Sequence, residues 1–176
     1  MKALDVLGLN VEATSGSLLI LLREKDAPNR VLPIFIGVPE AIAIAVAMSG
    51  ESPPRPLTHD LLAALIDNLD VHVDHVEVTG VRDGAFIAEL AVRGPSGGVS
   101  LDSRPSDAIA LALRVDAPVF ASEAALDQAG AIVAVRADEA AIDDDMARLR
   151  TFLDEVDPAE FEMGQGPDDR PEGPDT

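Results

Sequence analysis

The sequence contains no cysteine, no tryptophan and no tyrosine, and only five phenylalanines. Without cysteine there is neither a disulfide framework nor a thiolate zinc site, which suits a reducing compartment such as the cytoplasm. Without Trp or Tyr, an RNA-binding sheet that works by aromatic stacking is not expected. Phe35, Phe86 and Phe120 lie in apolar strand-like runs and read as core rather than as platforms for bases. Positive charge is scarce as well: 13 Lys and Arg stand against 32 Asp and Glu, a net of −19. Long-range attraction of a polyanion needs positive potential, so this balance argues against a tight, sequence-independent DNA coat protein. The longest uncharged apolar run, Ala41 to Met48, falls far short of the roughly 20 residues that span a bilayer. The start Met1-Lys-Ala-Leu-Asp-Val-Leu lacks the unbroken apolar stretch of a secretory leader. The expectation is a soluble, unexported protein with no membrane partner. No Walker loop, dinucleotide-binding glycine fingerprint or Gly-x-Ser-x-Gly elbow occurs, so those chemistries have no support.

What is present is acidity, alanine and a repeat. A chain of 176 residues fits one domain, and a body of about 150 residues buries roughly 70% of its unfolded surface without a covalent staple. The acidity is uneven, with a net of −11 from Asp138 onward and about −8 over the preceding 137 residues. Residues 137–157 read as an amphipathic acidic helix. The Pro-, Gly- and Asp-rich stretch 158–176 has nothing to form a core and reads as a disordered tail.

The segment Glu40-Ala-Ile-Ala-Ile-Ala-Val46 returns as Asp107-Ala-Ile-Ala-Leu-Ala-Leu113. The same offset, the one that carries Glu40 to Asp107, lays Leu4–Glu12 on Val71–Thr79, Ser17–Leu22 on Gly84–Glu89 and Val31–Ile36 on Gly98–Ser103. The pattern is two units of strand, strand, strand, helix, and it predicts an α+β fold in which duplicated units form one compact mixed-sheet domain. Thr14-Ser15-Gly16 and Asp83-Gly84 mark hairpin turns, and Pro33 suits an edge strand or a bulge. Pro39 with Glu40 favours a helix start, and the run that follows has no polar face, so the helix is expected to be buried on all sides. Thr58 is the expected N-cap of a helix running to Leu69, and Ser106 that of the second repeat helix. Val119-Phe120 reads as a short strand end, and Ser122 to Gln128 as a turn or two of helix.

Four motifs in order, Leu32-Pro-Ile-Phe-Ile-Gly37, Glu40-Ala-Ile-Ala-Ile-Ala45, Arg55-Pro-Leu-Thr-His-Asp-Leu61 and Asp102-Ser-Arg-Pro-Ser-Asp-Ala-Ile-Ala-Leu111, resemble the bifunctional nuclease domain over about residues 1 to 136. This bacterial and plant family is credited with both DNase and RNase activity. The resemblance implies a compact α+β domain, a homodimer, and divalent-metal-dependent cleavage of phosphodiesters in DNA or RNA. Plant members often carry an added C-terminal module where this chain has an acidic helix and tail.

Phosphodiester hydrolysis needs charge neutralisation on the phosphate, an activated water and help for the leaving oxygen, commonly from metals held by carboxylates. Glu40, Asp60 and Asp107 each lie at a helix start, Asp102 ends a strand just before one, and His59 adjoins Asp60. If the two units pack about a pseudo-twofold axis, Glu40 and Asp107 meet near it and are candidate ligands for Mg²⁺ or Mn²⁺. His59, Asp60, Asp102 and Asp107 are the candidate catalytic groups. Arg55 and Arg104, each before a proline at a helix entry, are the candidate phosphate contacts. Against this stands a plainer reading. An acid in a first helical turn stabilises the helix by about 0.3 to 1 kcal/mol with no further role, and a non-catalytic regulatory or interaction module is the alternative function. His72 and His75, three apart on a strand, fall on opposite faces unless a bulge intervenes. Convergence of the carboxylates decides between the readings.

Overall fold

Apolar runs on either side of the Thr14-Ser15 turn make Lys2–Val11 (β1) and Leu18–Glu24 (β2) an antiparallel pair, and Arg30–Phe35 (β3) extends it. The helix Val38–Ser49 (α1) closes the first unit. In the computed structural model, which describes residues 1–132 apart from 13, 28, 29, 51 and 52, the same order follows a second time. After the helix Thr58–Asn68 (α2) come His72–Arg82 (β4), Ala85–Gly94 (β5), Gly97–Ser103 (β6) and the helix Pro105–Ala112 (α3). The chain continues through Val119–Ala121 (β7), Glu123–Ala129 (α4) and Ala131–Ile132 (β8). The expected acidic helix and tail lie outside the described residues.

The strands form one sheet in the order β6-β5-β4-β7-β1-β2-β3-β8. Each repeat supplies three consecutive strands, and β7 joins the halves, parallel to β4 and antiparallel to β1. Val119-Phe120, expected as a strand end, is therefore the seam of the sheet. It is pinned where Ser122 Oγ donates to the Thr79 carbonyl at 2.8 Å and accepts from the Ala125 N–H at 3.0 Å, which also caps α4.

Register confirms the duplication and corrects one part of it. Leu9 pairs with Ile20, and its repeat equivalent Val76 pairs with Leu90 rather than with Ile87, the residue to which the repeat offset carries Ile20. The third strands keep the offset, since Leu19 pairs with Phe35 and Glu89 with Asp102, the equivalent of Phe35. Only the second strands are displaced. The cause is that β4 runs on to Arg82, past Val78, the equivalent of the β1 end at Val11, before the chain reverses. The reversal itself is the tight Asp83-Gly84 turn, with φ of 52° and 80°. Even an irregularity is repeated. The β1–β2 register shifts between Val6 and Gly8 and the β4–β5 register between Val73 and His75, so the bulges at Leu7 and Asp74 occupy equivalent positions. The second bulge puts His72 opposite Arg93 and His75 opposite Ala91, hence on one side of the strand. His75 there stands edge-on to Phe120 with ring centres 5.6 Å apart.

Helices α1 and α3 pack against each other and over β1, β2, β4 and β5, and Ile44, Ile109 and Leu111 join Ile20, Leu22, Leu32, Val76 and Val78 in the buried core. Burying each such side chain stabilises the fold by about 1.5 to 3 kcal/mol. The buried-helix expectation holds for α3, where every residue but Asp107 is buried. It fails for α1, which leaves Ile42 exposed because α3 covers only one flank of it. Phe35 departs from the core reading most clearly, at 58% exposure. At the β3 edge, strand β8 pairs with Arg30 and Val31, and among the described residues no strand lies beside Pro33 on that side, so its missing N–H costs nothing there. Beside them the buried carboxylate of Glu24 lies 2.8 Å from Arg30 Nε and 3.6 Å from Lys2 Nζ, and Arg30 also reaches Glu123 and Asp127, tying α4 to the edge.

Candidate active site

The three longer helices among the described residues begin alike. The N-caps are Gly37, Leu57 and Arg104, so Glu40, Asp60 and Asp107 each stand three residues into a first turn, where a carboxylate faces the positive end of the helix dipole. Neither Thr58 nor Ser106 is the cap, since each lies inside its helix. In α2 the orphan N–H of Leu57 is taken instead by the Asp60 carboxylate at 2.8 Å. Packing of α1 on α3 brings the two repeat carboxylates together on one guanidinium. Arg104 Nη1 is 2.8 Å from Glu40 Oε1, and Nε and Nη2 grip Asp107 at 2.7 and 3.2 Å.

Repeat symmetry explains this arrangement. Gly37 and Arg104 are equivalent positions, and the first has no side chain because a Cβ there would collide with Glu40 Oε2. The glycine lets Glu40 fold back over the helix start, and the arginine of the other copy reaches across to it. A cleft of about 490 Å³ opens between the two starts, lined by Phe35, Gly37 and Glu40 from one unit and by Phe86, Arg104 and Ser106 from the other.

The α2 start supplies the remaining groups, and its neighbouring residues diverge. His59, largely buried, places Nε2 at 3.4 Å from Asp107 Oδ1. Asp60 turns the other way, to Arg114 Nε, and Arg114 Nη1 also donates to the carbonyls of Ala43 at 3.0 Å and Ala110 at 2.7 Å. One buried guanidinium thereby ties α1, α2 and α3 together. Burial pushes the Asp107 carboxyl up, but the hydrogen bonds and charge of Arg104, with His59 adding to them, hold it below the usual aspartate range. The Arg114 hydrogen bond, followed by that from Leu57, holds Asp60 down as well.

Of the seven residues singled out by sequence, Glu40, His59, Arg104 and Asp107 form one connected cluster. Asp60 adjoins it as a structural partner of Arg114. Asp102 is not brought in: it sits on the exposed edge strand β6 opposite Glu89, and no ion pair or hydrogen bond joins it to the cluster among the described residues. Arg55 lies exposed in the turn before α2, likewise without a partner among the described residues. Sequence reasoning missed Arg114, although a lone arginine closing the otherwise apolar run Ala108–Leu113 was the available signal: a charge on a buried helix requires a partner. It also assigned Phe35 to the core, although period two sets it on the face opposite the buried Leu32 and Ile34.

Can these residues hold a divalent ion? As arranged they do not fit one. The facing carboxylates of Glu40 and Asp107 are both spent on Arg104, and among the described residues no three His, Asp or Glu side chains gather as a metal cage. The arrangement instead offers a histidine with one ring nitrogen facing a carboxylate, beside an arginine that keeps part of its hydrogen-bonding capacity. Arg104 is 67% exposed and commits three of its five N–H groups to Glu40 and Asp107.

An uncharacterized protein of Mycobacterium tuberculosis (strain H37Rv) is 39% identical over 165 residues, covering 92% of this chain and 98% of its own. Bifunctional nuclease 2 of Arabidopsis thaliana is 32% identical over 103 residues, and bifunctional nuclease 2 of Oryza sativa subsp. japonica is 27% identical over 115. These cover 57% and 64% of this chain but only 31% and 35% of the plant proteins. No helix among the described residues is long and apolar enough to cross a membrane. The bifunctional nuclease domain matches residues 20–134, a span that holds the whole of the cluster, and the chain belongs to that family.

Proposed function

We propose that the cluster is a nuclease site that hydrolyses phosphodiester bonds of DNA or RNA with little base selectivity, and that His59 is its general base. The observation that carries this is the contact between His59 Nε2 and Asp107 Oδ1 beside the exposed guanidinium of Arg104. A carboxylate that accepts from Nε2–H leaves the lone pair on Nδ1, the tautomer a base requires. Water attacks phosphorus, His59 takes its proton, and the P–O bond to the departing sugar oxygen breaks. The two remaining N–H groups of Arg104 meet the phosphoryl oxygens as charge builds on them. No acid of the cluster is placed for the leaving oxygen, which takes its proton from solvent.

A second reading keeps the Mg²⁺ or Mn²⁺ implied by the family resemblance. It is favoured by the two carboxylates that face one another across Arg104, and it requires the arginine to vacate that position. Purified protein incubated with plasmid and with RNA, with Mg²⁺, with Mn²⁺ or with EDTA, separates the two. The His59 reading expects cleavage to persist in EDTA and Arg104→Ala to lower it by about tenfold or more, the scale of one charge-assisted donor. Cleavage abolished by EDTA and raised in the arginine variant selects the metal reading. No cleavage under any condition leaves the interaction-module alternative.

A homodimer accompanies this proposal. Leu57, Leu61, Leu65 and Leu69 recur at every fourth position along α2 and are 39%, 64%, 53% and 59% exposed, a single apolar stripe of the kind two copies bury against each other. Light scattering is expected to give twice the 18.4 kDa chain mass, and Leu61→Asp with Leu65→Asp to return the monomer. A parent protein that is monomeric at micromolar concentration defeats this part.

A further inference from the structure

The aromatic side chain at the mouth of the cleft is where it should not be if packing alone governed it. On the face of β3 opposite Leu32 and Ile34, Val31 is only 3% exposed, whereas Phe35, two pairs further along that face, is 58% exposed, and the chain has only five phenylalanines to place. Leaving a ring of that size in water forgoes one of the larger burial gains available to any residue. The exposed ring lines the same 490 Å³ cleft as Arg104, Glu40 and Phe86. That volume lies in the range of sites that enclose a small molecule or a single building block of a polymer. An arginine with unspent donors beside an exposed ring matches the two ends of a nucleotide, phosphate and base.

Resting on the nuclease reading above, we propose that Phe35 is a base-stacking platform and that the cleft takes single-stranded nucleic acid, one base lying on Phe35 while the neighbouring phosphate meets Arg104. Duplex bases are already stacked on both faces and have none to offer, whereas an unpaired base can splay onto a ring. Charge points the same way. With Glu40 and Asp107 beside it and a chain of net −19 around it, Arg104 cannot bind a polyanion by long-range attraction. Affinity must come from a short-range, uncharged contact, which stacking is. The salt dependence should therefore be shallow: one phosphate contact on a single strand gives a slope of log K against log salt of about −0.7.

The test uses the full chain carrying His59→Ala, so that the probe stays intact, and fluorescence anisotropy of a labelled 12-nucleotide single strand, its duplex, and a strand of the same length with abasic sites throughout. The expected result is that the single strand binds more tightly than either of the others. Phe35→Ala should weaken it by about 5- to 150-fold, down to the level of the abasic strand, whose own binding does not change. Because the chain contains no tryptophan, Phe35→Trp inserts a sole fluorophore, whose emission should be quenched by the single strand and not by the abasic one. If the parent discriminates among the strands and Phe35→Ala leaves this untouched, the platform is wrong while the nuclease site stands. If the single strand binds no better than the duplex, the single-strand assignment is overturned. If His59-intact protein neither binds nor cuts any strand, the nuclease reading and this inference fall together.

Discussion

Replacing His59 with alanine is expected to lower phosphodiester cleavage by about 10² to 10⁴-fold, the usual contribution of one positioned general base, with the thermal midpoint close to that of the parent. The reason lies in how the ring is held. Nε2 faces Asp107, Asp107 is held in turn by two nitrogens of Arg104, and Arg104 reaches on to Glu40. Asp107→Asn should cost nearly as much, because the amide no longer favours the Nε2–H tautomer and releases the arginine. His59 and Asp107 act as a unit, so the double variant should be little worse than either alone. Gly37→Ala is the mild counterpart. Its φ of −81° suits alanine, and the only obstacle is the end of the flexible Glu40 side chain, so the change displaces Glu40 from Arg104 and leaves the backbone as it is. Equal cleavage by His59→Ala and parent protein, in preparations matched for purity, would show that the activity belongs to other residues or to a contaminant.

The second large effect is on stability. Arg114→Met is expected to destabilise the fold by about 3 to 5 kcal/mol in urea titration, a large share of the roughly 5 to 15 kcal/mol that holds a domain together. Arg114 is only 7% exposed, and its removal strands Asp60, itself 26% exposed, and undoes the contacts to the carbonyls of α1 and α3. Arg114→Lys should recover little, because an ammonium cannot span a carboxylate and two carbonyls in the fixed geometry of the guanidinium. A variant as stable as the parent would mean that apolar packing alone seats α2.

These ion pairs also contribute to the acid limit. Both Asp60 and Asp107 are held below the ordinary aspartate value of 3.8, so the unfolded chain binds protons that the folded chain refuses. Their contribution is fully present above about pH 4 to 5 and is lost as pH falls through 3.8 toward the lower folded values. The urea midpoint should thus fall on acidification from about pH 5 to about pH 3, and Asp60→Asn should flatten that fall.

What depends on neighbours along the chain was legible in the sequence. Apolar runs between turn signals marked the strands, Asp83-Gly84 marked the tight hairpin, and the acid-Ala-Ile-Ala runs marked two equivalent helices with a carboxylate near the start of each. The repeat offset was legible because the units share their order of elements and even a bulge. What depends on residues far apart followed from packing. It put the short strand β7 at the seam between the halves, displaced the second hairpin strand from its repeat position, and chose which carboxylates meet. Asp60 and Asp102 were as plausible in sequence as Glu40 and Asp107. Asp60 is taken by an arginine from beyond the second repeat helix, Asp102 is left on an edge strand, and the equivalent pair converges because α1 and α3 pack side by side. Periodicity says which side of a strand or helix faces inward, but not which charge lies across the gap or whether a strand's last residue is covered. That last limit is why Phe35, apolar by pattern, stands open at the mouth of the cleft.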